Sequence, residues 1–176
     1  MAALNTTQNK NPLSPLGFRF LIQKLPNTEY FVNSVSIPGV NTTFVQQPNP
    51  LGNRIVVPSG VLNYEELSLN FIVDEDMENY REIHNWLLDS THVDNQDRFA
   101  ASSNRGKIHG IDTKFFSDAS LLILTSNQQT NIDVKFENIA PVSLSTLEFK
   151  TNESDVTYLE AQVSFVFKRY NINRLQ

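Results

Sequence analysis

The residues best suited to chemistry are the carboxylates Asp74-Glu75-Asp76 and the histidines His84, His92 and His109. Adjacent carboxylates can hold a hard cation or divide acid and base roles between them. A calcium loop spaces its oxygen ligands as a ladder, and these three residues do not form one. They stand where an apolar alternation gives way to helical spacing. There a side-chain oxygen can cap the first N–H groups of a helix, and the negative charge suits the helix's positive end. His84 falls on the apolar stripe of that helix, the position of a packed, hydrogen-bonded imidazole. His92 and Asp94 stand two apart with no further ligand at metal-site spacing. Ser59-Gly60 and Gly106/Gly110 lack the Gly-rich, lysine-bearing form of a phosphate loop. No serine sits in a nucleophile elbow. The chain has no cysteine, which removes disulfides, thiolate catalysis and cysteine-zinc sites together. No catalytic residue, cofactor site or metal site is expected, and the chain does not read as an enzyme.

The elements around these residues say more. Leu67, Leu69, Phe71 and Val73 alternate with Ser68, Asn70 and Ile72, the period of a half-buried strand. After the acidic cluster, Met77, Tyr80, Ile83, His84 and Leu87 share one helical face, widened by Trp86 and Leu88. Glu78, Arg81, Glu82, Asn85 and Asp89 are left for the outer side. Before this unit, Phe18 to Leu25 and Glu29 to Ile37 read as strands, and the turn Pro26-Asn27 implies a hairpin between them. Residues 40–63 hold two β-rich pieces, Thr42–Gln46 and Arg54–Val57, around the turn Pro48 to Asn53. Proline is scarce in central strands, so this hairpin belongs at an edge or projects as an arm. Phe44, Leu51, Ile55 and Val57 are more apolar than a free loop needs.

Residues 89–114 form a long polar loop, and residues 1–15 an N-terminal arm that a partner would order. Asp118–Ser126, Asn131–Asn138 and Pro141–Phe149 read as strands. The last strand, Asp155 to Arg169, turns Leu159, Ala161, Val163, Phe165 and Phe167 one way. Glu160, Gln162, Ser164 and Lys168 turn the other. YNINRLQ is left as a tail. The architecture expected is mainly β: an antiparallel sandwich or barrel with one packed α-helix.

At 176 residues and 40% hydrophobic content, the chain suits one folded domain spanning 1–176. The formal net charge of −5 comes without a basic block, which argues against tight nucleic-acid binding. No signal-peptide layout and no membrane-length apolar run is present, so synthesis and folding in a cytoplasm, without a membrane anchor, are expected. The triplets at Asn5, Asn41 and Asn152 then match the glycosylation pattern by chance.

The strand LSLNFIVDEDMENY (67–80), running into the helix REIHNWL (81–87), resembles the tail tube proteins of contractile-tailed bacteriophages. LPNTEYFVNSVSIPGV (25–40) is similar to the family's second strand and its exit, and DVTYLEAQVSFVFKRY to its last strand. Tube subunits of contractile injection and type VI secretion systems, and baseplate tube initiators, share the fold. The resemblance implies hexameric rings stacked into a hollow tube in the virion tail. The tape-measure protein and DNA would occupy the lumen, a sheath the outside and a tube initiator one end. DNA would pass without specific binding, and no cofactor is implied. On this reading the arm supplies inter-subunit contacts through Phe44, Pro48, Leu51, Arg54, Ile55 and Val57. Glu160, Gln162, Ser164 and Lys168 are candidates for the lumen face. Glu78, Arg81, Glu82 and Asp89 are candidates for the sheath. A baseplate initiator or an injection-system tube subunit is the alternative within this fold, and a ligand-binding β-sandwich is the alternative outside it.

Overall fold

Alternation of apolar and polar residues becomes an antiparallel sheet that wraps a single core cluster. The computed structural model describes residues 12–26, 28–48, 54–91, 107–108, 111–112, 115–152 and 158–175. At 30, 48, 54, 55, 91, 107, 108, 111 and 112 the description covers the backbone alone. The strands are β1 (Phe18–Ile22), β2 (Val32–Ser36), β3 (Val40–Pro48), β4 (Arg54–Tyr64), β5 (Leu67–Ile72), β6 (Lys107–Ile108), β7 (Ile111–Asp112), β8 (Ser117–Leu124), β9 (Thr130–Leu144), β10 (Glu160–Val166) and β11 (Arg169–Arg174). A 3-10 turn covers Glu29–Phe31, and the helix α1 covers Glu78–Thr91.

The main sheet runs β1-β8-β9-β10-β5-β2, with β11 also against β9. β9 organises it. Its first part pairs with β8 on one edge and with β11 on the other, while Ala140 to Leu144 pair with β10. β10 and β11 therefore follow one another along the same edge of β9. One half of the sheet brings Phe20, Leu121, Val134 and Phe136 to the core, and the other brings Leu69, Phe71, Val163 and Phe165. Each is almost wholly removed from water, which for side chains of this size is worth about 1.5–3 kcal/mol apiece.

α1 closes on this core with Ile83 and Trp86, both buried. The Trp86 indole N–H donates to the Phe115 carbonyl at 2.8 Å, and its ring lies 6.0 Å from that of Phe165. The Tyr80 hydroxyl donates to the Ser145 carbonyl. Met77, at φ 54°, turns the chain out of the sheet, and its carbonyl accepts the first helical bond from Arg81 N.

Several expectations change. No hairpin joins β1 to β2: β1 pairs with β8, and β2 with β5. The short link carries the chain from one end of the strand order to the other, and its second half is the 3-10 turn rather than strand. Asn131–Asn138 and Pro141–Phe149 are not separate strands. β9 runs through Pro141, bent near Asn138 at φ 54°. The last strand is shorter than expected and breaks at Phe167-Lys168, and the supposed tail is β11. The 40–63 strands extend further than their β-rich pieces, to Val40–Pro48 and Arg54–Tyr64. Within the loop 89–114, α1 continues to Thr91 and β6 pairs with β7; residues 92–106, with His92 and Asp94, lie outside the described residues, as does His109. His84 is exposed, because the buried stripe centres on Asn79, Ile83 and Trp86. The acidic cluster does not cap the helix. Asp74 Oδ1 is buried without a hydrogen-bond partner, and Asn79 secures the turn instead.

Candidate assembly surfaces

β3 and β4 form a sheet of their own, registered from Val40 opposite Tyr64 to Pro48 opposite Arg54. Successive side chains of a strand point to opposite faces, so Phe44 and Val45 stand on opposite faces of this ribbon. Phe44 is 60% exposed and Val45 54%; on β4, Val57 opposite Val45 is 41% exposed and Val56 opposite Gln46 is 58% exposed. Both faces are thus apolar and open. The ribbon is bent where Thr43 alone opposes Ser59-Gly60-Val61, with Gly60 at φ 75° and the Thr43 and Ser59 hydroxyls in contact. A positive φ suits glycine, so Ser59-Gly60 is a bulge device. Pro48, Arg54 and Ile55 sit at the far end of the ribbon with only their backbones described, and Leu51 lies outside the described residues.

The base of the ribbon is fixed by aromatic rings. Tyr64 lies 5.4 Å from both Phe167 and Tyr170, and these rings pack on Phe136 at 5.3 and 5.6 Å. The Tyr170 hydroxyl donates to the Pro38 carbonyl, and Asn41 Nδ2 donates to Glu65 Oε1. This anchor had a sequence signal only in the aromatic spacing of FKRY, whose partner at Tyr64 is remote in the chain.

A second surface is the outward face of β2, β5, β10 and residues 140–144 of β9. Glu160, Gln162 and Ser164 lie on it, as the alternation requires. Their neighbours are Ser68 and Asn70, the polar side of the alternation in β5, and Asn33 and Ser34 of β2. Asn70 Nδ2 donates to Ser34 Oγ, Gln162 Nε2 to Ser68 Oγ and Asn33 Nδ2 to Glu160 Oε1, at 3.0, 2.8 and 3.0 Å. Lys168 is not part of this row: it stands at the break between β10 and β11, where its N–H donates to the Glu137 carbonyl. Nearby, Arg169 Nε donates to Glu137 Oε2 at 2.6 Å. That bond, then the guanidinium's charge, holds the Glu137 carboxyl below the usual carboxylate range against the opposing effect of desolvation.

The third surface is the outer side of α1. Glu78, Arg81 and Asp89 are exposed and Glu82 half-buried, with Arg81 Nη2 3.7 Å from Glu78 Oε1. Glu82 and Asp89 flank a cleft of about 300 Å³ with Lys24 and Trp86, where Lys24 Nζ stands 4.9 Å from the indole centroid. Among the described residues no group of His, Asp and Glu could hold a metal ion. No described helix is long and apolar enough to cross a membrane.

Residues 6–173 match the family model described as phage tail tube protein. Among solved structures, the chain is similar to the anti-feeding prophage cap, the AFP tube terminating cap, at TM-score 0.67 and 14% identity, covering 99% of this chain and 100% of that one. It is also similar to a chain of the PVC sheath-tube complex in the extended state, an extracellular contractile injection system, at TM-score 0.59 and 12% identity, covering 94% of each. A chain of the AFP baseplate gives TM-score 0.59 at 11% identity, covering 94% of this chain and 97% of that one. At these identities the likeness is one of fold. No curated protein sequence matches the chain.

Proposed function

The chain belongs to the phage tail tube protein family, and from that premise we propose that it is the repeating subunit of a contractile-tail inner tube, built from stacked hexameric rings that conduct DNA at ejection. The observation that carries this reading is the β3–β4 ribbon, apolar and exposed on both faces. A lone two-stranded ribbon is marginal in water. Each Phe or Val it buries on a neighbour is worth up to about 1.5–3 kcal/mol, and repetition around a ring multiplies the gain. The ribbon is therefore the contact between subunits of successive rings, with residues 1–15 as a second arm. Closing the sheets into a ring would also cover strand edges that otherwise invite aggregation.

The outward face bearing Glu160, Gln162 and Ser164 lines the lumen, through which the tape-measure protein and then DNA pass. Glu78, Arg81, Glu82 and Asp89 on α1 face a sheath; the similar PVC chain comes from a sheath-tube complex. A baseplate initiator starts the stack, assembly proceeds in the host cytoplasm, and the product resides in the virion tail. The role is structural and no catalysis is assigned.

Electron microscopy of the purified protein tests this. Rings near a hexameric mass, or tubes, are expected; a monomer that persists at high concentration would sink the reading. Deleting Thr43 to Val57 should leave the fold intact and abolish stacking. Normal polymerisation of the truncated chain would remove the ribbon from its assigned role.

A further inference from the structure

We propose that the ribbon of one subunit seats on the opposite end of the next copy, on a receptor made by residues 145–152, Tyr158 and the acidic turn Asp74-Glu75-Asp76. The proposal rests on the reading that the chain forms rings stacked through the ribbon, and adds where the ribbon is received. Strand sense fixes the two ends. β2 ends and β5 begins where Ser36 lies opposite Ser68; Glu65 N donates to the Gly39 carbonyl as the pair runs on into the ribbon. β10 finishes at the same end, with Phe165 opposite Leu67. At the far end Glu160 lies opposite Ile72, and Val163 opposite Leu144. There β5 gives way to the acidic turn, and β9 runs out into the connection that returns as β10. Ribbon and receptor thus stand at opposite ends of one half of the sheet.

The receptor is rooted in the fold while its rings stand in water. Ser145 N donates to the Gln162 carbonyl at 2.8 Å, Ser145 Oγ accepts from Gln162 N at 2.9 Å, and the Ser145 carbonyl accepts from the Tyr80 hydroxyl at 3.1 Å. Leu147 packs against the core. Two residues on, Phe149 is 71% exposed, and Tyr158, just before β10, is 76% exposed. Both rings are more open than Phe44 on the ribbon. An aromatic side chain held out from a fixed root is the form an interface anchor takes. The charges match as well. Residues 40–63 hold Arg54 and no other charged residue. At the receptor Glu75 and Asp76 are exposed, while Glu148 and Lys150 pair with one another at 3.2 Å. A contact between unlike ends is heterologous: it propagates from copy to copy instead of closing a pair, as a stack of rings requires.

The test uses the full-length chain, which has no cysteine of its own. Gln47→Cys on the ribbon and Thr151→Cys on the receptor are combined in one chain, and assembled tubes are treated with a short bismaleimide. Denaturing gels should show a ladder that runs past the hexamer, because each subunit is joined to one in the next ring; either substitution alone should give no ladder. A ladder that stops at the hexamer would place the receptor on a neighbour in the same ring and overturn the proposal. Tubes that form and do not cross-link overturn it too, and leave the tube reading standing. A wild-type chain that forms neither rings nor tubes overturns that reading, and the proposal with it. Should the double variant not assemble, Val45→Cys with Tyr158→Cys carries the same expectations. Phe149→Ser should form rings of unchanged mass and at least tenfold fewer tubes; a normal yield of tubes would remove Phe149 from the receptor.

Discussion

Asn79, rather than the carboxylates before it, secures the start of α1. It is fully buried; its Oδ1 accepts from Tyr80 N at 2.7 Å and more weakly from Asp74 N, and its Nδ2 donates to the Ile72 carbonyl at 2.8 Å. One amide thus ties the end of β5 to the first turn of α1. Asn79→Ala should cost about 1–3 kcal/mol, the penalty of stranding buried backbone groups, and denaturant unfolding measures it. Sequence could not reveal this, because an asparagine inside a helical stripe carries no spacing signal, whereas Asp74-Glu75-Asp76 imitates a cap. His84 was misplaced for a related reason: the bulk of Trp86 takes the middle of the buried stripe and leaves the imidazole in water. A pH effect belongs at this scale too. Because Glu137 titrates lower in the fold than in the unfolded chain, its bond to Arg169 stabilises fully above the ordinary carboxylate range. That stabilisation is lost as pH falls through the depressed value. The pair is exposed, so the effect is small and screened by salt. Thermal melts between about pH 3 and about pH 7 should show a shallower acid-side decline for Arg169→Gln than for the wild type.

Among the elements, alternation made the faces of β5 and β10 legible: Leu67, Leu69 and Phe71, and Ala161, Val163 and Phe165, are buried as sets. Pairing was not legible. Alternation fixes which way a side chain points and says nothing about which strand lies beside it, so a short link imitates a hairpin. Apolar alternation continues through the break at Phe167-Lys168 and hides it; the ring of Phe167 still packs against Phe136 while the backbone leaves the ladder. The ribbon was legible as an arm from its prolines, but its aromatic anchor was not. Tyr64→Ala removes ring contacts to both Phe167 and Tyr170, each worth about 0.5–1.5 kcal/mol beyond the area buried. The expected outcome is faster amide hydrogen exchange at 40–48 and 54–64 with protection of β5, β9 and β10 unchanged. Equal acceleration in those core strands would mean that the anchor supports the whole fold.

For the molecule as a whole, the absence of cysteine is an experimental convenience. A thiol introduced at Gln162→Cys or at Arg81→Cys is the only one in the chain. In assembled tubes a small maleimide should label both sites, while a polymer-linked maleimide should label Arg81→Cys and spare Gln162→Cys. Equal labelling by the bulky reagent would place the amide-lined face outside. The tail-tube resemblance was readable from order and pattern along the chain, and the family match agrees with it. That charged side chains such as Arg19, Asp118, Lys135 and Arg169 gather on β1, β8, β11 and the first part of β9 was not readable, since only the pairing assigns each strand to its half of the sheet. The sharing of β9 between those halves has a mechanical consequence. Two sheets that meet through side chains alone can slip past one another in small steps. Here a pull on one half reaches the other through the covalent backbone of β9, and the ladder to β10 and β11 along the same edge bears the load in shear. Such a subunit should transmit axial force as a stiff spar, yielding by rupture of the ladder rather than by sliding.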